Sequence, residues 1–303
     1  MDNSAIKSKI ESANTALGIE LGSTRIKAVL VTDDYKVVAS GDFVWENELR
    51  NNIWTYPIEK VWKGIQTSYA NMAASVNEQY GIKLTKIGAI GISAMMHGYM
   101  PFDKDGHLLV PFRTWRNNIT GVAADKLTSL FNFNIPERWS VAHLYQAILN
   151  HEDHVKDIDF ITTLDGYVSW QLSGNKNTGI GDASGMFPID EATKTYDAKM
   201  LEQFAGLPEV AQYPWNINDI LPEVLLAGQA AGKLTAAGAA LLDPSGQLQA
   251  GSLIAPSEGD AGTGMVATNA VRKRTGNISA GTSAFSMVVL DQKLNKVHRD
   301  IDM

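Results

Sequence analysis

The strongest constraint on the fold is a short pattern that occurs twice. Ile19-Glu20-Leu21-Gly22-Ser23-Thr24 is echoed by Ile278-Ser279-Ala280-Gly281-Thr282-Ser283, the second glycine standing 259 positions after the first (281 − 22). In each copy an apolar segment enters a glycine and two hydroxyl residues. A second apolar segment then leaves, toward Ala28-Val29-Leu30 in one case and Met287-Val288-Val289 in the other. Alone, such a tripeptide is an ordinary β-hairpin turn; repeated with matched flanking strands, it signals a duplicated unit. Glycine lets a backbone approach a ligand closely, while turn N–H groups and Ser/Thr hydroxyls offer donors to phosphate oxygens without a lysine. Two such hairpins face to face would clamp a polyphosphate chain. Because the second copy runs out soon after its hairpin, the chain reads as one complete unit and the beginning of another.

The surroundings of the first copy read as an antiparallel meander, with strands over 17–21, 26–32 and 37–45 and a turn at Asp33-Asp34. A helix opens at Pro57, since Ile58, Val61, Trp62, Ile65, Tyr69, Met72 and Val76 recur at helical spacing before Gly81. Residues 86–93 are almost wholly apolar, as a buried central strand requires. Three antiparallel strands, a crossover helix and a buried strand make the opening of a ribonuclease-H-like, actin-type α/β domain. Farther on, Ser140 is placed to cap a helix carrying Val141, Leu144, Tyr145, Ile148 and Leu149. A strand over 159–163 and a helix over 167–172 follow, and the Ala- and Gly-rich stretch 229–240 reads as a small packed helix. This divides the chain into a loose or weakly helical tail (1–15), a first domain (16–251) and the start of a truncated second domain (252–303).

Composition narrows the function. A chain of 303 residues is too long for one comfortable core. With no cysteine, a disulfide framework, a thiolate metal site and a cysteine nucleophile are all excluded, which fits the cytoplasm. The net charge of −7 argues against nucleic acid as a partner, and Arg272-Lys273-Arg274 reads as a solvated turn. No apolar run is long enough to span a bilayer, so no membrane partner is expected.

An ordered series of motifs resembles the FGGY carbohydrate kinases, most closely the members that phosphorylate xylulose. Gly18 to Thr24 resembles the first phosphate hairpin, Ser93-Ala94-Met95-Met96-His97-Gly98 the sugar-contacting loop, and Arg113-Thr114-Trp115-Arg116-Asn117 the Trp-containing strand end. Asp165-Gly166-Tyr167 with Leu172-Ser173-Gly174 resembles a later helix, and Gly181-Asp182-Ala183-Ser184-Gly185-Met186 follows it. Gly259-Asp260-Ala261-Gly262 is similar to the catalytic motif, and Gly281-Thr282-Ser283 to the second phosphate hairpin.

The resemblance implies ATP-dependent phosphorylation of a sugar hydroxyl, a ketopentose such as xylulose or else ribulose, gluconate or glycerol. Asp260 would be the general base. Glu20 would hold Mg²⁺ through water, and Gly22, Ser23, Thr24, Gly281, Thr282 and Ser283 would bind the phosphates of ATP. Met96, His97, Trp115 and Asp165, with Asp260, would form the sugar site, and Arg138-Trp139 lies where relatives close it. A homodimer is admitted as an assembly. One departure stands out: the family has Asp where this chain has Glu20, which keeps open a non-catalytic, actin-like sugar- or nucleotide-binding protein. Without the rest of the second domain and its adenine pocket, this polypeptide alone is expected to be nearly inactive.

Plainer roles stand beside these. Asp260 is also placed to cap a helix, as is Asp165; His97 and Trp115 suit a core; Arg25 suits either phosphate or solvent. His151 and His154 have a metal-like spacing, but histidine at a helix end more often complements the helix dipole. The glycines of 259–264 are in the wrong order for a dinucleotide fingerprint.

Overall fold

The computed structural model describes residues 3–280 and 284–303. Its first element, α1 (Asn3–Glu11), occupies most of the expected tail. It is held by buried Ile10 and by Lys9, which pairs with Asp33 and with Asp34 at 2.9 Å. The meander then forms as β1 (Thr15–Leu21), β2 (Arg25–Thr32) and β3 (Val37–Val44). Alternation drives it: Leu17, Ile19 and Leu21 are buried, whereas Gly18 and Glu20 turn toward the opposite, more open face. Helix α2 (Ile58–Tyr80) starts after Pro57, stops at Gly81, and lays Val61, Ile65, Tyr69, Met72 and Val76 on the buried face.

The apolar strand β4 (Ala89–Ala94) runs parallel to β1, with Glu20 opposite Ser93 and Leu21 opposite Ala94. Its other edge is covered by residues from far downstream. After β5 (Gly232–Lys233), strands β6 (Leu253–Ile254) and β7 (Glu258–Gly259) both pair parallel with β4. The order is β5-β6-β4-β1-β2-β3, with β7 beside the far end of β4. The first sheet therefore extends past the expected boundary near Gly251 as far as Gly259. The reason is hydrogen bonding: a buried strand such as β4 cannot leave one row of N–H and C=O groups unpaired.

A second hydrophobic core, around Trp139, Phe187 and Phe204, joins α3 (Gly121–Phe131) and α4 (Ser140–Leu149) to the following segments. Ser140 is the first helical residue, not the cap; extended Trp139 holds the cap position, and Ser140 Oγ instead donates to Gly98 O at 2.6 Å. Helix α5 (Leu164–Ser173) starts earlier than its apolar pattern indicates and leads to the short α6 (Ile180–Ala183). The Ala/Gly-rich stretch splits into β5 and α7 (Ala236–Leu242), because Thr235 caps the helix by accepting the Gly238 N–H at 2.9 Å. Beyond the sheet come α8 (Asp260–Ala267) and an antiparallel pair, β8 (Gly276–Ala280) and β9 (Ala284–Val288). The turn of that hairpin, Gly281-Thr282-Ser283, lies outside the described residues.

Candidate active site

The β1–β2 turn is built to present donors. Its three carbonyls are all engaged from behind: Gly22 O accepts Trp45 Nε1 at 2.7 Å, Ser23 O accepts the Tyr56 hydroxyl at 2.7 Å, and Thr24 O accepts the Trp45 N–H at 3.2 Å. The Gly22 N–H closes the turn on Arg25 O at 3.0 Å and is not available to a ligand. The amides and hydroxyls of Ser23 and Thr24 have no partner among the described residues, so they are the donors open to an anion. Trp45 and Tyr56 pack ring against ring, with centroids 4.2 Å apart. Sequence reasoning placed neither in the site, although Trp45 ends the third expected strand. Arg25 pairs with Asp42 at 2.5 Å and is largely solvated.

At the end of β1, the half-exposed Glu20 carboxylate pairs with Lys27 Nζ at 3.1 Å. Across the parallel ladder, β4 runs out into the loop Met95-Met96-His97-Gly98. Ser93 Oγ lies 3.0 Å from Thr263 Oγ1, which ties β4 to α8. Asp260 opens α8 as its first residue; Gly259 is the cap, and the aspartate is turned onto the Met96 N–H, which it accepts at 3.3 Å. The approach is close enough that a Cβ on Gly259 would run into the Met96 side chain. Burial pushes the Asp260 carboxyl up from its ordinary range against the backbone N–H groups of Met96 and Ala261, and the negative charges of Glu20 and Asp165 push it further. Glu20, the open turn and Asp260 thus share the carboxyl ends of parallel strands, where α/β sheets hold their ligands.

His97 takes a left-handed backbone (φ 71°) that carries its ring onto Gly185. Burial pushes its pKa down to about 4, which leaves a neutral imidazole. The Arg138 carbonyl accepts the Gly98 N–H at 3.1 Å, which puts Arg138-Trp139 beside this loop. Trp115 is half-buried against the first core. Asp165 is fully buried: Thr163 Oγ1 lies 2.8 Å from it and 2.5 Å from Asp182, and Thr178 Oγ1 lies 3.4 Å away. One hydroxyl has one proton to give, so two carboxyls around it need another between them. Burial accordingly raises Asp165 and raises Asp182 well above the carboxylate range. Glu258 accepts the Asp182 N–H at 3.1 Å and is pushed up to about 7 by burial and by the charge of Asp165. Asp182 and Glu258 were within or beside motifs read from the sequence but were not singled out; adjacency to Asp260 was the available signal for Glu258.

His151 and His154 do not gather into a metal site. His154 is buried, its Nε2 2.9 Å from the Tyr99 hydroxyl and its Nδ1 3.5 Å from Glu152, which also pairs with Arg113. Among the described residues, three metal-type ligands meet only at Asp103, Asp105 and His107. A divalent ion at Glu20 would take its remaining ligands from phosphate and water, as Mg²⁺ commonly does.

Residues 15–245 match the model of the FGGY family of carbohydrate kinases, N-terminal domain. The chain belongs to the FGGY family of carbohydrate kinases. It is similar to the xylulose kinase of Haemophilus influenzae, 24% identical over 286 residues that cover 88% of this chain and 54% of that protein. Among solved structures it resembles a ligand-bound xylulose kinase from Lactobacillus acidophilus (TM-score 0.76, 17% identity, 92% of this chain and 55% of that one). A gluconate kinase from the same organism is equally near (TM-score 0.75, 17% identity, 92% and 54%). These FGGY neighbours carry the actin-like ATPase fold expected from the sequence, and the chain spans about half the length of the relatives it matches. Among the described residues no helix is long and apolar enough to cross a membrane.

Proposed function

We propose that this FGGY protein, with the remainder of its second domain, transfers the γ-phosphoryl group of ATP to a hydroxyl of a small sugar, a ketopentose such as D-xylulose. The observation that carries this reading is the placement of Asp260 on the Met96 amide, beside the sugar loop and within electrostatic reach of Glu20. In the reaction the Asp260 carboxylate accepts the proton of the attacking hydroxyl as its oxygen bonds to phosphorus. The bond between that phosphorus and the β-phosphate bridging oxygen breaks, and ADP leaves. The Ser23 and Thr24 donors and those of Gly281-Thr282-Ser283 hold the phosphates. Glu20 would hold Mg²⁺, which supplies charge neutralisation on the phosphate oxygens. Met96 walls the sugar site and neutral His97 hydrogen-bonds a hydroxyl; Asp165 shapes the site through its charge.

The choice of xylulose rests on the named relatives, and the gluconate kinase neighbour keeps gluconate beside it as an alternative. The test is ADP formation by the complete gene product with xylulose, ribulose, gluconate and glycerol in turn. Stimulation is expected with at least one of them, xylulose first; no stimulation by any of the four overturns the reading.

A further inference from the structure

The segment after β9 returns to the first domain and delivers a carboxylate to the sugar loop. Asp302 Oδ1 accepts Trp139 Nε1 at 2.9 Å, its Oδ2 pairs with Arg138, and that same oxygen lies 3.6 Å from His97 Nε2. The backbone is docked as well: Asn134 Nδ2 donates to Ile301 O at 2.8 Å, and Arg299 pairs with Asp125. We propose that Asp302 is a sugar-contacting residue that, with His97 and Arg138, forms a polyol subsite on the loop that Asp260 also contacts; this rests on the kinase reading above.

The first argument is spacing. A separation of 3.6 Å is just too long for a good hydrogen bond. A hydroxyl at roughly 2.8 Å from each group would complete the triangle, donating to Asp302 and accepting the Nε2–H of His97. A carboxylate oxygen has two lone pairs, so Arg138 and Trp139 do not exhaust Asp302, whose side chain remains 26% exposed. The second argument is position. Asp260 sits on the Met96 amide and Asp302 beside the side chain of His97, the next residue. One acid thus rests on the backbone of the loop and the other beside the side chain of the next residue, the first to take the proton of the reacting hydroxyl and the second to fix another hydroxyl of the same molecule. A bare surface ion pair between Arg138 and Asp302 would explain neither the buried indole donor nor the docked backbone.

The plainer role of Asp302, satisfying the Trp139 N–H, is separable from sugar contact. D302A and D302N are compared with wild type, each as the complete gene product, by calorimetric titration of xylulose, ribulose, gluconate and glycerol, and of ATP, with Tm recorded for each. The expected result is a loss of polyol affinity of about 10- to 100-fold in D302A, as for removal of a hydrogen bond to a charged group, with ATP binding unchanged. D302N, which keeps an acceptor for Trp139, should keep its Tm and lose less affinity. Should D302A fail to fold, D302N carries the test. Polyol affinity in a folded D302A, or failing that in D302N, equal to wild type removes Asp302 from the subsite and leaves the kinase reading standing. No polyol binding by the wild-type chain removes both.

Discussion

The Asp260 carboxylate accepts the backbone N–H of Met96 at 3.3 Å, which fixes an acid from one end of α8 to the loop leading out of β4. Asparagine keeps an acceptor at that position, so D260N should preserve the loop and the Tm. It removes the proton acceptor, and general-base catalysis is worth about 10²- to 10⁴-fold. The complete protein carrying D260N should lose kcat by that order while its calorimetric sugar affinity stays within a few-fold. A kcat near wild type would show that another group takes the proton.

Glu20 and Asp260 repel, and the sign of that repulsion can be read in a pH profile. Burial, then the charges of Glu20 and Asp165, hold the Asp260 pKa above its ordinary 3.8. A base must be ionised, so kcat/KM should fall on the acid side as pH drops through the raised value. Replacing Glu20 with Gln removes one negative neighbour and should move that acid limb to lower pH. It should also weaken the response to Mg²⁺, as loss of a carboxylate ligand requires. An acid limb that stays in place in E20Q would mean that the two carboxyls do not sense one another.

How the phosphate turn is held can be tested at Trp45, whose indole N–H reaches Gly22 O at 2.7 Å while its ring packs on Tyr56. Trp45→Phe keeps most of the ring and drops the donor. Losing one such bond should cost about 1 kcal/mol of stability in denaturant titration. The freed turn should raise the KM for ATP several-fold and leave the KM for sugar alone. Equal changes in the two KM values would argue against a specific role in the turn.

These contacts mark what was legible in the sequence. The meander, the helix after Pro57 and the buried strand were readable because period-2 and 3.6-residue patterns follow from which face is buried. Asp260 was readable because a motif carried it. The closure of the β4 edge by residues 253–259 was not, since which strand pairs with which is decided across long stretches of chain and leaves no local pattern. Nor were Trp45, Tyr56 or the Asp165-Asp182-Glu258 cluster, each joined through contacts between residues distant in the chain. Asp165 was expected at the sugar and lies instead in a closed network whose reach to Asp260 is electrostatic. The second hairpin's flanking strands are formed as its echo of the first indicates, while Gly281-Thr282-Ser283 themselves lie outside the described residues.

The buried acids make a last prediction about stability. Glu258 is pushed up to about 7 from an ordinary 4.5, first by burial and then by Asp165. The folded state therefore binds this proton more tightly than the unfolded chain does. Its contribution is fully present below about pH 4.5 and is lost as pH rises through 7. Glutamine cannot ionise and leaves an oxygen to accept the Asp182 N–H, so Glu258→Gln and wild type should be similarly stable at pH near 4.5. Across the window the variant should gain on wild type by up to about 3 kcal/mol, measured by denaturant unfolding at a series of pH values. A stability difference between the two proteins that does not change with pH would place the ionised Glu258 in a solvated or compensated setting and sever it from the Asp165 cluster.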